Sequence, residues 1–238
     1  MSDPGVVDGH GPDTTHPPGV ELERFTAALR RLTNQGVHTS ASPEHLDRAA
    51  AALEAMADEL DPVTPAWVPA VPAFFEGMKP EDFFPFSPMI GRYNALAPPI
   101  TIDVVDGAVH GTGNLDAAYE GPPGCVHGGV IAALFDELLG VANISAGVGA
   151  MTGTLTITYR SPTPMKTDLT FYAKVEGVDG RKVRTRGTIH AGDRLCAEAD
   201  GIFIIVDHSR FLAHTETHGG SAEGHRGPAR RAESGSQT

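Results

Sequence analysis

What this chain has little of sets the first limits. Only two cysteines occur in 238 residues, Cys125 and Cys196, which excludes a disulfide framework and a cysteine-rich metal site. Basic residues are outnumbered, 18 Lys and Arg against 30 Asp and Glu, for a net charge of -12. Such a surface repels a phosphate backbone, so nucleic acid is not an expected partner. Long hydrophobic runs are missing too. The most strongly apolar stretch, 130–135, falls far short of a bilayer's thickness, and no membrane insertion is expected. The first ten residues are polar and acidic, unlike a secretory leader. The 11 histidines are scattered, and no pair stands at a zinc-ligand spacing with a third partner, so no metal is expected. These limits describe a soluble cytoplasmic protein. Its 40% hydrophobic content suits one well-buried domain with extensions rather than two large domains.

What is there divides into four parts. Residues 1–18 are rich in Gly, Pro, Asp and His without an apolar period and are expected to be disordered. Residues 19–87 form an extension. Leu22, Phe25, Leu29 and Leu32 repeat at helical spacing. A second helix opens with Ser42 as N-cap and Pro43 in its first turn; its stripe is Leu46, Ala49, Ala50, Leu53, Met56, Ala57 and Leu60. A short loop between two such helices predicts a helical hairpin. Residues 61–99, with Trp67, Phe74, Phe75, Phe83, Phe84 and Phe86, read as an irregular segment draped over a core. Residues 88–210 carry the main domain. Its period changes to two at 100–105 and 108–115 around an Asp106-Gly107 turn, a hairpin signal. A helix over about 127–145 follows, then strands at 154–160, 169–175, 182–190 and 195–206, the last three linked through Asp179-Gly180 and Gly192-Asp193. Tight turns make these strands antiparallel neighbours. Residues 211–238 are a Gly, Ser, His and Arg-rich tail, expected to be disordered. The helix is apolar nearly all round, so it is buried on most sides. The fold class is α+β: an antiparallel sheet wrapped around one central helix, the hotdog arrangement, with an N-terminal helical extension.

The chemistry concentrates at 124–136. Gly128 and Gly129 open the helix, leaving backbone N–H groups with no Cβ to hold a ligand away. These carry the positive end of the helix dipole and suit a carbonyl oxygen that becomes negative under attack. Glycines that merely permit close packing fit the spacing equally well. Asp136 sits mid-helix in an apolar run, where an ionised carboxylate is costly unless satisfied. Gly129, Ala132, Ala133 and Gly140 make a small-residue face beside it, with room for a ligand. A solvated face shared with Glu137 is the bland alternative, and Glu137, rotated about 100° away, is the rival base. Arg181, Lys182, Arg184 and Arg186 form a basic cluster that could grip phosphates or be an ordinary charged face.

His127-Gly128-Gly129, six residues, then Asp136 resembles the signature of PaaI-like hotdog thioesterases of the 4HBT superfamily. Met151-Thr152, the strand ending at Tyr159 and Arg160-Ser161-Pro162-Thr163-Pro164 resemble the same family. The spacings from Asp136 to Thr152 and from Arg160 to Arg181 are similar to the branch containing the human thioesterase-superfamily-member proteins. The resemblance spans about residues 88–207 and leaves 1–87 without a counterpart. It implies acyl-CoA hydrolysis. Asp136 would be general base or nucleophile, the Gly128 and Gly129 amides would polarise the carbonyl with His127 assisting, and Thr152 would hold the water or the carboxylate. Thr158, Arg160 and Arg181 would contact CoA, and Arg210 falls near another such position. Lys182 and Arg186 join them from the basic cluster. No cofactor is expected, CoA being part of the substrate. The alternatives are a non-catalytic acyl-CoA-binding protein of the same fold, which would not need Asp136 and Thr152, and a dehydratase, whose Asp-to-His motif is missing. Geometry adds one expectation. His127 and Asp136 lie nine positions apart, about 13 Å along one helix. If Asp136 and the Gly129 amide act on one carbon, they come from different subunits, which requires a homodimer or a dimer of dimers.

Overall fold

The computed structural model describes residues 19–63 and 84–206. The ends at 1–18 and 211–238, the aromatic residues Trp67, Phe74, Phe75 and Phe83, and Arg210 lie outside the described residues. The chain forms two compact units. One comprises Ala41–Val71 and Val206–Thr238 and contains helix α2, Pro43–Leu60. Pro43 occupies its first turn, and Ser42 Oγ accepts from the His45 amide at 3.3 Å, satisfying one of the amides a helix start leaves open.

The other unit, Met1–Ser40 and Pro72–Ile205, contains helix α1, Val20–Val37, helix α3, Gly128–Ser145, and one antiparallel sheet. The strands are β1 Ile100–Val105, β2 Ala108–Asn114, β3 Ala150–Tyr159, β4 Asp168–Asp179, β5 Lys182–Ala191 and β6 Arg194–Ile205. Their order across the sheet is β1-β2-β4-β5-β6-β3. The β1–β2 turn places Asp106 at φ 51° and Gly107 at φ 71°, the two positive angles a tight two-residue hairpin needs. Gly180 and Gly192 supply the same freedom to the later turns.

α3 carries the chain from β2 across the sheet to β3 at the far edge. Ile131, Leu134, Phe135, Leu138, Leu139, Val141, Ala142 and Asn143 are its buried residues. They pack on the face that presents Phe171, Val183, Ile189, Ala199 and Phe203. Gly187 on β5 lets the helix close in, because a Cβ there would lie 3.1 Å from Leu139 Cδ2 and 2.9 Å from the Tyr172 carbonyl oxygen. Truncating Leu139 to alanine in this packing costs about 2–5 kcal/mol. α3 is long and apolar enough, by length and composition, to cross a membrane; within the sheet that apolarity forms the core.

Two boundaries differ from the sequence reading by more than one residue. β3 begins at Ala150 rather than 154, and β4 runs on to Asp179. In each a bulge interrupts the period-two pattern, near Gly153 in β3 and between Val175 and Gly177 in β4. α1 forms where its apolar spacing predicts, yet it docks on its own unit through polar groups. Thr26 is buried, and Arg30 donates to the carbonyls of Ala97 at 2.8 Å and Asn94 at 3.1 Å.

Candidate active site

The start of α3 is shaped by its cap. His127 has extended backbone angles, φ -61° and ψ 132°, and its Nδ1 accepts from the Gly129 amide at 2.9 Å. An accepting Nδ1 puts the ring proton of a neutral imidazole on Nε2. The Gly129 donor is therefore engaged inside the chain. The Gly128 amide has no hydrogen-bond partner among the described residues, as expected at the first position of a helix. Of the two amides singled out from the sequence, Gly128 is the one open to a ligand. Tyr159, at the end of β3, donates its hydroxyl to the Gly128 carbonyl at 2.8 Å. A Cβ on Gly128 would lie 3.4 Å from that hydroxyl oxygen.

Two turns along, the Thr152 hydroxyl donates to Asp136 Oδ1 at 2.6 Å. Both residues are exposed, and the second carboxylate oxygen has no hydrogen-bond partner among the described residues. The β3 bulge makes this contact possible. Thr152 pairs with Phe203 and Thr154 with Ile202, so Gly153 is the extra residue. Opposed residues share a sheet face, and Phe203 points into the core at 1% exposure. Thr152 therefore faces α3, where strict alternation from Thr154 through Gly153 would turn it outward.

Glu137 has a different environment. It is half-buried, and burial pushes its carboxyl above the usual glutamate range; the Ser87 hydroxyl acts against that shift and the neighbouring Asp136 charge adds to it. The two adjacent carboxyls are thus separated, one open beside Thr152 and the other turned to Ser87.

The basic residues divide. Thr158 stands across from Glu198, on the sheet face away from α3. Arg160 donates to Glu198 Oε1 through Nε at 2.8 Å and also through Nη2. Arg186 reaches Glu198 at 3.4 Å and Asp200 at 3.5 Å. The Arg160 guanidinium, with help from Arg186, holds the Glu198 carboxyl below its ordinary range. Lys182 and Arg184 share that face with Arg186 and have no ion-pair partner among the described residues. Arg181, in the β4–β5 turn, donates to the Ile205 carbonyl at 3.2 Å.

The candidate residues thus gather at opposite ends of β3. Asp136, Thr152 and Arg181 lie at its beginning, since Ala150 pairs with Ile205 and Lys182 with Ile204. His127, Gly128, Tyr159 and Arg160 lie at its end. No single chain brings the two groups together: Gly128 and Asp136 are eight positions apart on one helix, about 12 Å along the axis. In the sequence Tyr159 reads as one more residue of an alternating strand. Its signal was position, because it is the last helix-facing residue before Arg160.

The thioesterase superfamily model matches residues 123–198, the span from the loop before His127 to Glu198. The chain is 38% identical to a thioesterase superfamily protein of known crystal structure, with a TM-score of 0.69 over 79% of this chain and 92% of that one. It is 36% identical over 114 residues to mouse acyl-coenzyme A thioesterase THEM4, covering 47% of this chain and 46% of that protein. It is 40% identical over 87 residues to the Xenopus laevis THEM4, covering 36% and 39%. The chain thus spans less than half the length of these curated relatives.

Proposed function

The chain belongs to the thioesterase superfamily, and from that premise we propose that it hydrolyses an acyl-CoA thioester to the free acid and CoA. The observation that carries this reading is the Thr152 hydroxyl on Asp136 Oδ1 at an open helix face. A carboxylate oriented by one hydrogen bond, with its other oxygen free, is suited to take a proton from water. That water adds to the thioester carbonyl. The Gly128 amide, at the positive end of α3, stabilises the oxyanion. Collapse of the tetrahedral intermediate breaks the C–S bond, and the proton held by Asp136 passes to the departing CoA thiolate. His127 Nε2–H is free to orient the substrate. Direct attack by Asp136, through an anhydride, uses the same groups; single-turnover hydrolysis in oxygen-18 water separates the two routes, since the anhydride route alone labels the enzyme.

The acting site spans two chains. β3 is an edge strand, and an unpaired edge offers backbone donors and acceptors to a second strand. Antiparallel pairing of β3 with its two-fold copy, centred near Leu155, sets the Thr152 end of one chain against the Tyr159 end of the other. Asp136, Thr152 and Arg181 of one subunit then meet Gly128, Tyr159 and Arg160 of its partner, twice per dimer.

The experiment is thiol release from short, long and aromatic CoA esters by the wild type and by Asp136→Asn. The expected result is turnover of at least one ester, with kcat lowered about 10²-fold or more in the variant and CoA still bound. Binding without turnover across the panel would favour a non-catalytic acyl-CoA-binding protein. Near-normal turnover by Asp136→Asn would remove the base.

A further inference from the structure

Ahead of the α3 cap, residues 119–127 close into a loop whose ends are tied together. Glu120 bridges to Val126, and the His127 amide donates to the Tyr119 carbonyl at 2.9 Å. The Gly121 amide donates to the Cys125 carbonyl at 2.9 Å. Gly121 lies against His127 so closely that a Cβ would fall 2.7 Å from the His127 Cα. The place of His127, and with it the Gly128 turn, is thus set by this loop.

One side chain of the loop braces it and ties it to α1. Glu120 Oε1 accepts from the Gly124 amide at 2.8 Å. Glu120 Oε2 accepts from His38 Nε2 at 2.9 Å, the only sense a carboxylate allows. His38 is the residue that ends α1. Four residues earlier, Asn34 Oδ1 accepts from the Ala118 amide at 2.9 Å, so α1 holds both the loop, at Glu120, and the residue just before it. The Tyr119 hydroxyl donates to the Leu96 carbonyl at 3.2 Å, and Arg30 fixes the neighbouring Ala97 carbonyl to α1. α1 lies outside residues 123–198, the span matched by the superfamily model.

The geometry points to Glu120 and His38 as positioning residues: α1, through His38, orders the Glu120 carboxylate that fixes the His127–Gly129 turn, and so sets the oxyanion donor. The kinetic half of this inference rests on the functional reading above; the structural half does not. A carboxylate that accepts two hydrogen bonds, one of them from a backbone amide, is a strong fastener. Displacing a donor by about 1 Å is enough to lower a rate by up to about 10²-fold.

The test compares wild type, Glu120→Ala, Glu120→Gln and His38→Ala. Glutamine keeps an acceptor for the Gly124 amide and serves as the conservative rescue. His38 is 59% exposed, so its alanine variant is not expected to unfold. Two readouts are taken on each full-length protein: hydrogen exchange of the Gly129 amide, which His127 Nδ1 holds, with the His127 Nδ1 nitrogen shift, and kcat with KM on a hydrolysed CoA ester. In Glu120→Ala the Gly129 amide is expected to exchange about tenfold faster, with β5 amides unchanged, as local opening requires. Its kcat should fall about tenfold with KM held within about twofold, since a displaced oxyanion donor acts on the transition state alone. His38→Ala should show the same changes in smaller measure, and Glu120→Gln should stay near wild type. Unaltered exchange and His127 signal in Glu120→Ala and His38→Ala, or faster exchange spread equally through β5, would overturn the positioning role. If the wild type hydrolyses no ester, the functional reading fails while the exchange readout still decides this one.

Discussion

Asp136 and Glu137 are chemically similar neighbours placed in opposite circumstances. Helix geometry turns them about 100° apart, enough to set one beside Thr152 and the other toward Ser87. Because burial raises the folded-state pKa of Glu137, its protonated form suits the fold. The sign follows from linkage: stability is full below the ordinary glutamate pKa and is lost as pH rises through the raised one. Glu137→Gln keeps an acceptor for Ser87 and cannot ionise. It is expected to raise Tm at pH 8 and leave it unchanged at pH 4, as read by thermal unfolding at the two values. An equal shift at both would mean that ionisation plays no part. The proposed oxyanion donor, the Gly128 amide, has a test of the same kind. Gly128 is the first residue of α3, where proline is well tolerated, and His127 already has the extended angles a following proline demands. Gly128→Pro therefore deletes one N–H with little cost to the fold. It should lower kcat by about 10²–10³-fold, the scale of losing an oxyanion donor. Full activity in a folded Gly128→Pro enzyme would assign that role elsewhere. The Asp136–Thr152 contact was legible from a family spacing. The capture of the Gly129 amide by His127 was not, because it depends on one rotamer.

At the scale of elements, legibility followed regularity. α3, the positive-φ turns and the alternating parts of β5 and β6 came through clearly, because period and turn chemistry agree there. The start of β3 did not. Its bulge at Gly153 breaks the alternation and hides the strand, while giving Thr152 its inward direction. α1 was readable as a helix, but its docking face was not. The eye follows Leu22, Phe25, Leu29 and Leu32, whereas Arg30 and Asn34 make the specific contacts, and polar contacts leave no periodic trace. The arginines belong to this scale, since Arg160 and Arg181 sit at opposite ends of β3. Arg160 must exchange Glu198 for a phosphate to act on CoA, and Arg181 must exchange the Ile205 carbonyl. Alanine at either position is expected to raise KM for acyl-CoA more than it lowers kcat, because the phosphates are remote from the reacting carbon. A truncated thioester lacking the nucleotide is the control. Equal losses on it would mean that neither arginine is a phosphate ligand.

For the whole molecule, the proposed active site is one that two chains complete together. The separation of Gly128 from Asp136 along α3, the open edge of β3 and the division of candidate residues between its ends all point to a two-fold pair. Complementation between two inactive variants tests this most directly. Asp136→Asn supplies an intact Gly128 amide, and Gly128→Pro supplies an intact Asp136. Refolded together in equal amounts, about half of the dimers should be mixed, each with one intact site and one doubly damaged site. Thiol release should then recover to about a quarter of the wild-type value, since half of the dimers work at one of two sites. Mixed dimers isolated as such that remain inactive would place both groups within one chain, contradicting the composite site.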